Sequence, residues 1–195
     1  MDKVINYLMN DLKLKDKDII VIGNSAGPDS MALTDILLKL REKIDIKIIC
    51  AHVNHNVRKE SKEEAIFLKE YCEENDIIFE SMIIEKYGDD NFHNEARAIR
   101  YSFFDKIVKK YDANYLMTAH HGDDLMETIL MRIVRGSSLK GYAGFKTVVE
   151  KDTYKIVRPL IFMTKEEIKD YDDKLGIKYA IDASNFKGKY TRNRY

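Results

Sequence analysis

Two groups of side chains in this sequence have the types and spacing to do chemistry. The first is Ser25-Ala26-Gly27-Pro28-Asp29-Ser30, in which small residues, a hydroxyl and one carboxylate follow an apolar run. At the start of a helix such a turn cradles phosphate, because the first-turn N–H groups lack carbonyl partners and the positive end of the helix dipole favours an anion. The chemistry it points to is the handling of a nucleotide. A Walker A loop would end in Gly-Lys-Ser or Gly-Lys-Thr, and neither occurs. The plainer alternative is an ordinary strand-to-helix turn in which Pro28 sets the first helical turn. The second group is Thr118-Ala119-His120-His121-Gly122-Asp123-Asp124-Leu125-Met126-Glu127-Thr128. Asp124, Glu127 and Thr128 fall at i, i+3 and i+4 and share a stripe at the start of a helix, with Asp123 beside them. Carboxylates beside bound ATP can hold Mg²⁺, which prefers oxygen ligands, or accept a substrate ammonium. As a purely structural alternative, the two aspartates cap the helix and Glu127 pairs with Arg135.

The elements that must position these groups alternate. The β-branched run Ile19-Ile20-Val21-Ile22 reads as a strand covered on both faces, and the apolar residues after Ser30 recur at helical spacing. The pattern predicts strands at 18–24, 45–53, 77–84, 113–119 and 154–158. It predicts helices at 30–42, 60–74, 91–111, 121–135 and 165–175. An amphipathic helix over Met1 to Leu14 precedes them, with Val4, Ile5, Leu8, Met9 and Leu12 on one face. Strand–helix alternation of this kind gives right-handed βαβ units, an α/β fold with an open parallel sheet flanked by helices. Ligands in such folds bind at the carboxyl ends of the strands, where strand order reverses, and each motif lies at or just after such an end. The region 136–153, with Gly136, Gly141 and Gly144, reads as an irregular loop facing substrate.

Composition narrows the class. A chain of 195 residues, 45% hydrophobic, suffices for one well-packed domain. Cys50 and Cys72 form no Cys-x-x-Cys pair, so neither a zinc knuckle nor a redox pair is signalled, and two buried thiols suit a reducing cytosol. No stretch is apolar for the roughly 20 residues that cross a bilayer, and the first twenty are too charged for a signal peptide, so a soluble cytoplasmic protein without a membrane partner is expected. Net charge is zero, yet of nine arginines all but Arg41 fall in the segments singled out on other grounds. Arginine suits bidentate phosphate and carboxylate contacts, and a local patch binds RNA without a basic total.

The first hexamer resembles the Ser-Gly-Gly-x-Asp-Ser loop of the N-type ATP pyrophosphatases, with Ala26 where the family has glycine. A methyl there would crowd the phosphates if the position needs positive φ. Ala51-His52-Val53-Asn54-His55-Asn56-Val57-Arg58 resembles the His-Val-Asn-His-Gly-Leu-Arg motif of the tRNA(Ile)-lysidine synthetases. Glu95, Arg97, Arg100, Tyr101 and Phe104 match a further family pattern along one helix. The segment from His120 to Gly136, with Arg132 and Arg135, resembles His-x-x-Asp-Asp-Gln-x-Glu-Thr followed by Arg-x-x-Arg-Gly, with Leu125 in place of glutamine. Arg158-Pro159-Leu160 with Lys165-Glu166-Glu167-Ile168, and Asp182, Ser184, Asn185, Tyr190, Arg192 and Asn193, complete the series.

The resemblance implies one catalytic domain, residues 1–195, of the adenine nucleotide alpha hydrolase-like, Rossmann-like kind, without the family's C-terminal tRNA-binding domains. It implies a ligase that uses ATP and Mg²⁺ to adenylate the 2-oxygen of the wobble cytidine in the anticodon of an isoleucine tRNA. L-lysine then displaces AMP to form lysidine. The catalytic residues implied are Asp29, Asp123, Asp124, Glu127 and Arg97. ATP would meet Ser25, Ala26, Gly27, Pro28, Asp29, Ser30, His52, Asn54 and His120. Glu95, Arg100, Arg132, Arg135, Arg192 and Asn193 would meet the other substrates, and Asp29 and Asp123 the metal. Oligomeric state is left open, a homodimer being one arrangement. The competing classes are a thiolating tRNA-modifying enzyme with the same loop, against which the lack of paired cysteines counts, and an ATP-binding module without catalysis.

Overall fold

A computed structural model of the chain describes residues 2–55, 60–84, 92–136 and 144–180. Its strands are β1 (Ile19–Gly23), β2 (Lys47–Asn54), β3 (Ile78–Ile83), β4 (Tyr115–Thr118), β5 (Val148–Glu150) and β6 (Lys155–Val157), arranged β3-β2-β1-β4-β6-β5. The helices are α1 (Asp2–Asn6), α2 (Pro28–Arg41), α3 (Glu60–Glu74), α4 (Phe92–Tyr111), α5 (Gly122–Val134) and α6 (Lys165–Leu175). All strand pairs are parallel except β5 with β6. The predicted parallel sheet therefore gains one antiparallel edge strand, three residues within the region read as irregular. A strand so short has too little alternation to show in sequence. The first helix is also shorter than its apolar face implied: α1 passes into a π-helical turn at Tyr7–Asp11, with Val4 and Leu8 still buried.

Hydrophobic layers cover both faces of the central strands. On one face Ile20, Ile22 and Cys50 pack with Met31, Leu33, Ile36, Leu37 and Leu40 of α2 and Leu68 of α3. On the other, Val21, Ile49, Ala51 and Leu116 pack with Phe104, Ile107 and Val108 of α4. Each fully buried large aliphatic contributes about 1.5–3 kcal/mol, so these layers fix the sheet that carries the site. Gly23 at the end of β1 belongs to the α4 face. A Cβ there would lie 2.7 Å from the Phe104 ring, so the close approach of α4 to the end of β1 requires glycine.

α6 packs on α2. A capping box of Thr164 with Glu167 starts it, and Gly176 in the left-handed region ends it. Tyr171 donates to Asp35 of α2, and Lys39 bonds both residues at 2.9 Å. The next residue, Asp172, is 1% exposed, and neither of its carboxylate oxygens has a hydrogen-bond partner among the described residues. Burial, with Asp29, Asp173 and Asp35 nearby, raises its pKa to about 7. An acid raised on folding is penalised wherever the unfolded chain is ionised and the folded one resists ionisation. The penalty is absent below the ordinary carboxyl pKa, grows through the interval up to about 7, and is complete above it. Asp172→Asn should therefore stabilise the protein by about 2–4 kcal/mol at pH 8, and the gain should vanish near pH 4. Urea unfolding of both proteins at the two pH values measures this, and equal stabilities at pH 8 would contradict it.

Candidate nucleotide-binding site

β1 connects to β2 on one side and β4 leads to β6 on the other, so strand order reverses between β1 and β4. A crevice of about 460 Å³ opens at their carboxyl ends, within the range of roughly 300–1,000 Å³ for small-molecule sites. Its lining comes from the β1–α2 turn, the end of β2, one face of α4, the β4–α5 turn, and residues Phe145 and Arg158.

The β1–α2 turn is held in shape by Asn24, a residue the sequence did not single out. Asn24 is 2% exposed. Its side-chain oxygen accepts from the Ala26 N–H at 2.7 Å and the Ser30 hydroxyl at 2.8 Å, and its amide donates to Thr34 Oγ1 at 3.0 Å. The Ser30 hydroxyl also lies 2.9 Å from the Gly27 carbonyl and accepts from the Ser25 N–H at 3.3 Å. Ser25, Asp29 and Ser30 line the crevice, while Ala26, Gly27 and Pro28 do not. Ala26 does adopt positive φ, at 64°. Its methyl is fully buried in the α2-side core and so does not crowd the crevice. Gly27 is the N-cap of α2 without a side-chain cap, and Pro28 has no N–H, so the first turn of α2 faces the crevice with no side chain capping it.

The N-terminus of α5 is closed by contrast. His121, also not singled out, is its N-cap: the Asp124 N–H donates to His121 Nδ1, and the His121 N–H donates to the Asp124 carboxylate at 3.1 Å. Gly122 donates to the Met163 carbonyl at 2.8 Å. With Nδ1 accepting, the proton of a neutral His121 ring sits on Nε2, which lies 3.6 Å from Asp124 and 3.9 Å from Asp29. The ring thus bridges the first turns of α2 and α5, and two carboxylates of the crevice meet around it. Burial and Asp124 raise the Asp29 pKa, and His121 and Lys165 oppose that rise.

The opposite wall is basic and aromatic. Arg97, Arg100, Tyr101 and Phe104 of α4 line it, with the Arg97 guanidinium 5.0 Å and that of Arg100 6.0 Å from the Tyr101 ring centre. His120 lies between the walls, its Nδ1 2.9 Å from Thr118 Oγ1 and its ring edge-on to Phe145. Burial, with Arg158, Arg97 and Arg100 nearby, lowers its pKa to about 4, so the ring is neutral at physiological pH. Arg158 is 5% exposed, donates from Nη1 to the Lys146 carbonyl at 2.5 Å, and stacks 5.3 Å from the Phe145 ring centre. Phe145, from the region read as substrate-facing, and Tyr101 and Arg158 were present in recognised segments but given no role.

Of the expected site residues, the fold brings Ser25, Asp29, Ser30, Arg97, Arg100, His120 and Asp124 into one crevice. Others are placed elsewhere. His52 and Asn54 share a face of β2 with Ile48 and Cys50, whereas Val53 points into the crevice. The His52 ring bonds the Asn24 carbonyl at 2.9 Å, and Asn54 donates to the Ser61 carbonyl at 2.9 Å, so both support neighbouring backbone. Asp123 accepts from the Lys165 N–H at 2.5 Å at the α6 N-terminus and lies 3.8 Å from His121 Nδ1. Glu95 and Glu127 are half-buried beside the lining, not in it. Arg132 donates to the Gly144 carbonyl at 2.7 Å, and Arg135 is the exposed C-cap at the far end of α5. Arg192 and Asn193, with Asn56, Val57 and Arg58, lie outside the described residues. No cluster of three metal-ligating side chains occurs among the described residues.

Comparison with known proteins fits this geometry. The model of the PP-loop domain family matches residues 1–195. Over the whole chain, tRNA(Ile)-lysidine synthases of Bacillus cereus and Bacillus subtilis are 45% and 42% identical, each matched over 42% of its own length. The chain thus spans about two fifths of these relatives. Among solved structures, a U34-tRNA thiolase from Methanococcus maripaludis aligns over 92% of this chain and 63% of its own, with a TM-score of 0.77 at 22% identity. The FMN adenylyltransferase of Candida glabrata aligns over 87% and 54%, with a TM-score of 0.58 at 11% identity, and both likenesses are of fold. With the small-residue turn at the start of α2, the crevice at the strand-order reversal and a match along its entire length, the chain belongs to the PP-loop domain family.

Proposed function

We propose that this chain is the ATP-using part of a tRNA(Ile)-lysidine synthetase, a carbon–nitrogen ligase. The cytidine 2-oxygen attacks the α-phosphorus of ATP and pyrophosphate leaves. An amine of L-lysine then attacks carbon 2, the carbon–oxygen bond breaks, AMP departs with that oxygen, and the amine loses a proton. The observation that carries the reading is the crevice itself, where an α2 N-terminus without a side-chain cap lies between an acidic and a basic wall. Relatives 42–45% identical that bear this name support it.

The chain's own groups divide the work. Backbone N–H groups of the first turn of α2, with Ser25 and Ser30, bind the leaving pyrophosphate, and the helix dipole stabilises its charge. Asp29 and Asp124 are the carboxylates in position to hold Mg²⁺, since that ion takes one or two carboxylates together with substrate phosphates. When bound, Mg²⁺ neutralises phosphate charge as the α–β bond breaks. Arg97 and Arg100 offer donors to an RNA phosphate or to the nucleotide. Asp124 and the neighbouring Glu127 orient the lysine ammonium and accept its proton. His120, neutral, shapes the wall without adding charge beside the arginines.

Release of AMP and pyrophosphate from ATP that requires both lysine and an isoleucine tRNA tests the reading. A reaction indifferent to lysine would overturn it. Asn24→Ala should lower ATP affinity about thirtyfold, because two bonds that shape the phosphate turn are lost at about 1 kcal/mol each. Asp29→Asn should lower it only when Mg²⁺ is present. Calorimetric titration of ATP with and without Mg²⁺ separates the two, with the exposed Lys69→Ala as reference. Glu127→Gln should reduce lysine-dependent turnover while ATP affinity is kept, and unchanged lysine dependence would remove Glu127 from the amine site.

A further inference from the structure

The two walls of the crevice have opposite charge, and the basic one holds a donor that the adenylation chemistry leaves unused. Arg158 follows β6, two strands from the phosphate turn on β1, since β4 lies between them. Neighbouring strands are about 4.8 Å apart, so Arg158 stands roughly 10 Å to the side of the pyrophosphate position. It is 5% exposed and lines the crevice. Its backbone N–H donates to the Thr147 carbonyl at 2.9 Å, its Nη1 to the Lys146 carbonyl at 2.5 Å, and its guanidinium carbon lies over the Phe145 ring, 5.3 Å from the ring centre. Arg132 holds the other end of this segment through the Gly144 carbonyl.

These contacts hold the guanidinium, and Nε is buried with no hydrogen-bond partner among the described residues. Nε and Nη2 form the edge with which arginine grips a carboxylate through two parallel bonds, and Nη1, on the other side, is already engaged. The Tyr101 hydroxyl on the same wall is likewise buried without a partner among the described residues. Buried donors left unmade are costly, and a ligand that brings oxygens offsets the cost. A ligand spanning both walls carries a cationic end for Asp124 and an anionic end for Arg158. An amino acid has that distribution of charge. The nucleotide phosphates are accounted for at α2, and a neutral cytosine has no anionic group.

We propose that Arg158 is a specificity-determining residue whose Nε/Nη2 edge receives the carboxylate of the amino-acid substrate, with the Tyr101 hydroxyl as a further donor on that wall. The assignment rests on the reading that lysine is a substrate of this crevice. It makes a free carboxylate a requirement for the amine that is ligated.

The test uses the chain saturated with a non-hydrolysable ATP analogue, titrated with L-lysine and with L-lysinamide, in which a carboxamide replaces the carboxylate. The unaltered chain should bind lysine about tenfold or more tightly than lysinamide, the scale of a charge-assisted bidentate pair. In Arg158→Gln that preference should collapse towards one while affinity for the ATP analogue is kept. Should Arg158→Gln fail to bind the analogue because it does not fold, Arg158→Lys, which keeps the charge and loses the fork, must still weaken the preference. A ratio near one in the unaltered chain overturns the proposal and leaves the lysine reading standing. So does an unchanged ratio in a folded Arg158 variant. A folded Arg158→Gln that loses the ATP analogue assigns the edge to a nucleotide phosphate and overturns it equally. A chain that binds the analogue but neither lysine nor lysinamide removes the lysine reading and the subsite together.

Discussion

The reversal of strand order between β1 and β4 is the constraint on which everything else here depends. It brings the first turns of two helices, α2 and α5, to the same gap at the carboxyl ends of adjacent parallel strands. Two positive helix ends side by side would repel unless each found an anion or a cap. The sequence resolves this asymmetrically. At α5, His121 and Asp124 satisfy the first turn from within, and Gly122 donates to the Met163 carbonyl. At α2 the N-cap is Gly27, which has no side chain to offer. The helix end that lacks a side-chain cap is the one that Asn24 shapes from behind, so order in the turn is supplied without occupying the donors that face the crevice.

Charge in the crevice follows from the same geometry. Asp29 and Asp124 belong to the first turns of the two helices, where a carboxylate is favoured, yet burial, with Asp124 nearby, raises the Asp29 pKa against that preference. The His121 ring between them offsets part of the repulsion. Across the gap burial, with Arg158, Arg97 and Arg100 nearby, keeps His120 neutral. Each wall therefore holds its charges beside like charges, an arrangement that a bound ligand of mixed sign relieves and that an empty crevice must tolerate through the packing beneath it. Gly23 contributes to that packing, because only there can Phe104 lie directly on the end of β1.

Much of this was legible in the sequence. The β-branched run at Ile19–Ile22 and the helical spacing after Ser30 located the phosphate turn, and four further helices appeared within two residues of their predicted ends. What stayed hidden has physical reasons. β2 is buried on both faces, so its hydrophobic pattern does not alternate, and nothing in Ala51-His52-Val53-Asn54 says which parity faces the crevice. Neighbours on a helix differ by about 100° in direction, so Asp123 and Asp124 part company, one to the α6 N-terminus and one to the crevice. Asn24 gave no signal because a lone asparagine after a strand is common turn chemistry. The tertiary fold alone shows that its side chain spans the turn from Ala26 to Thr34.

The two sides of the crevice draw on different parts of the chain. The phosphate turn draws its binding power from backbone, and any small residues of suitable conformation can form it. The basic wall draws on side chains that arrive from distant elements, α4 and the residue after β6, and their directions are set by contacts unrelated to ATP. Phe145 and the carbonyl of Lys146 hold the Arg158 guanidinium beside the segment before β5, the short antiparallel strand that sequence patterning did not reveal. That edge strand supplies little core: Val148 and Val149 are only partly buried. Its clearest contribution is to fix residues 145–147 over the guanidinium. A strand with so little core of its own thus bears on the crevice chiefly through the guanidinium it helps to hold.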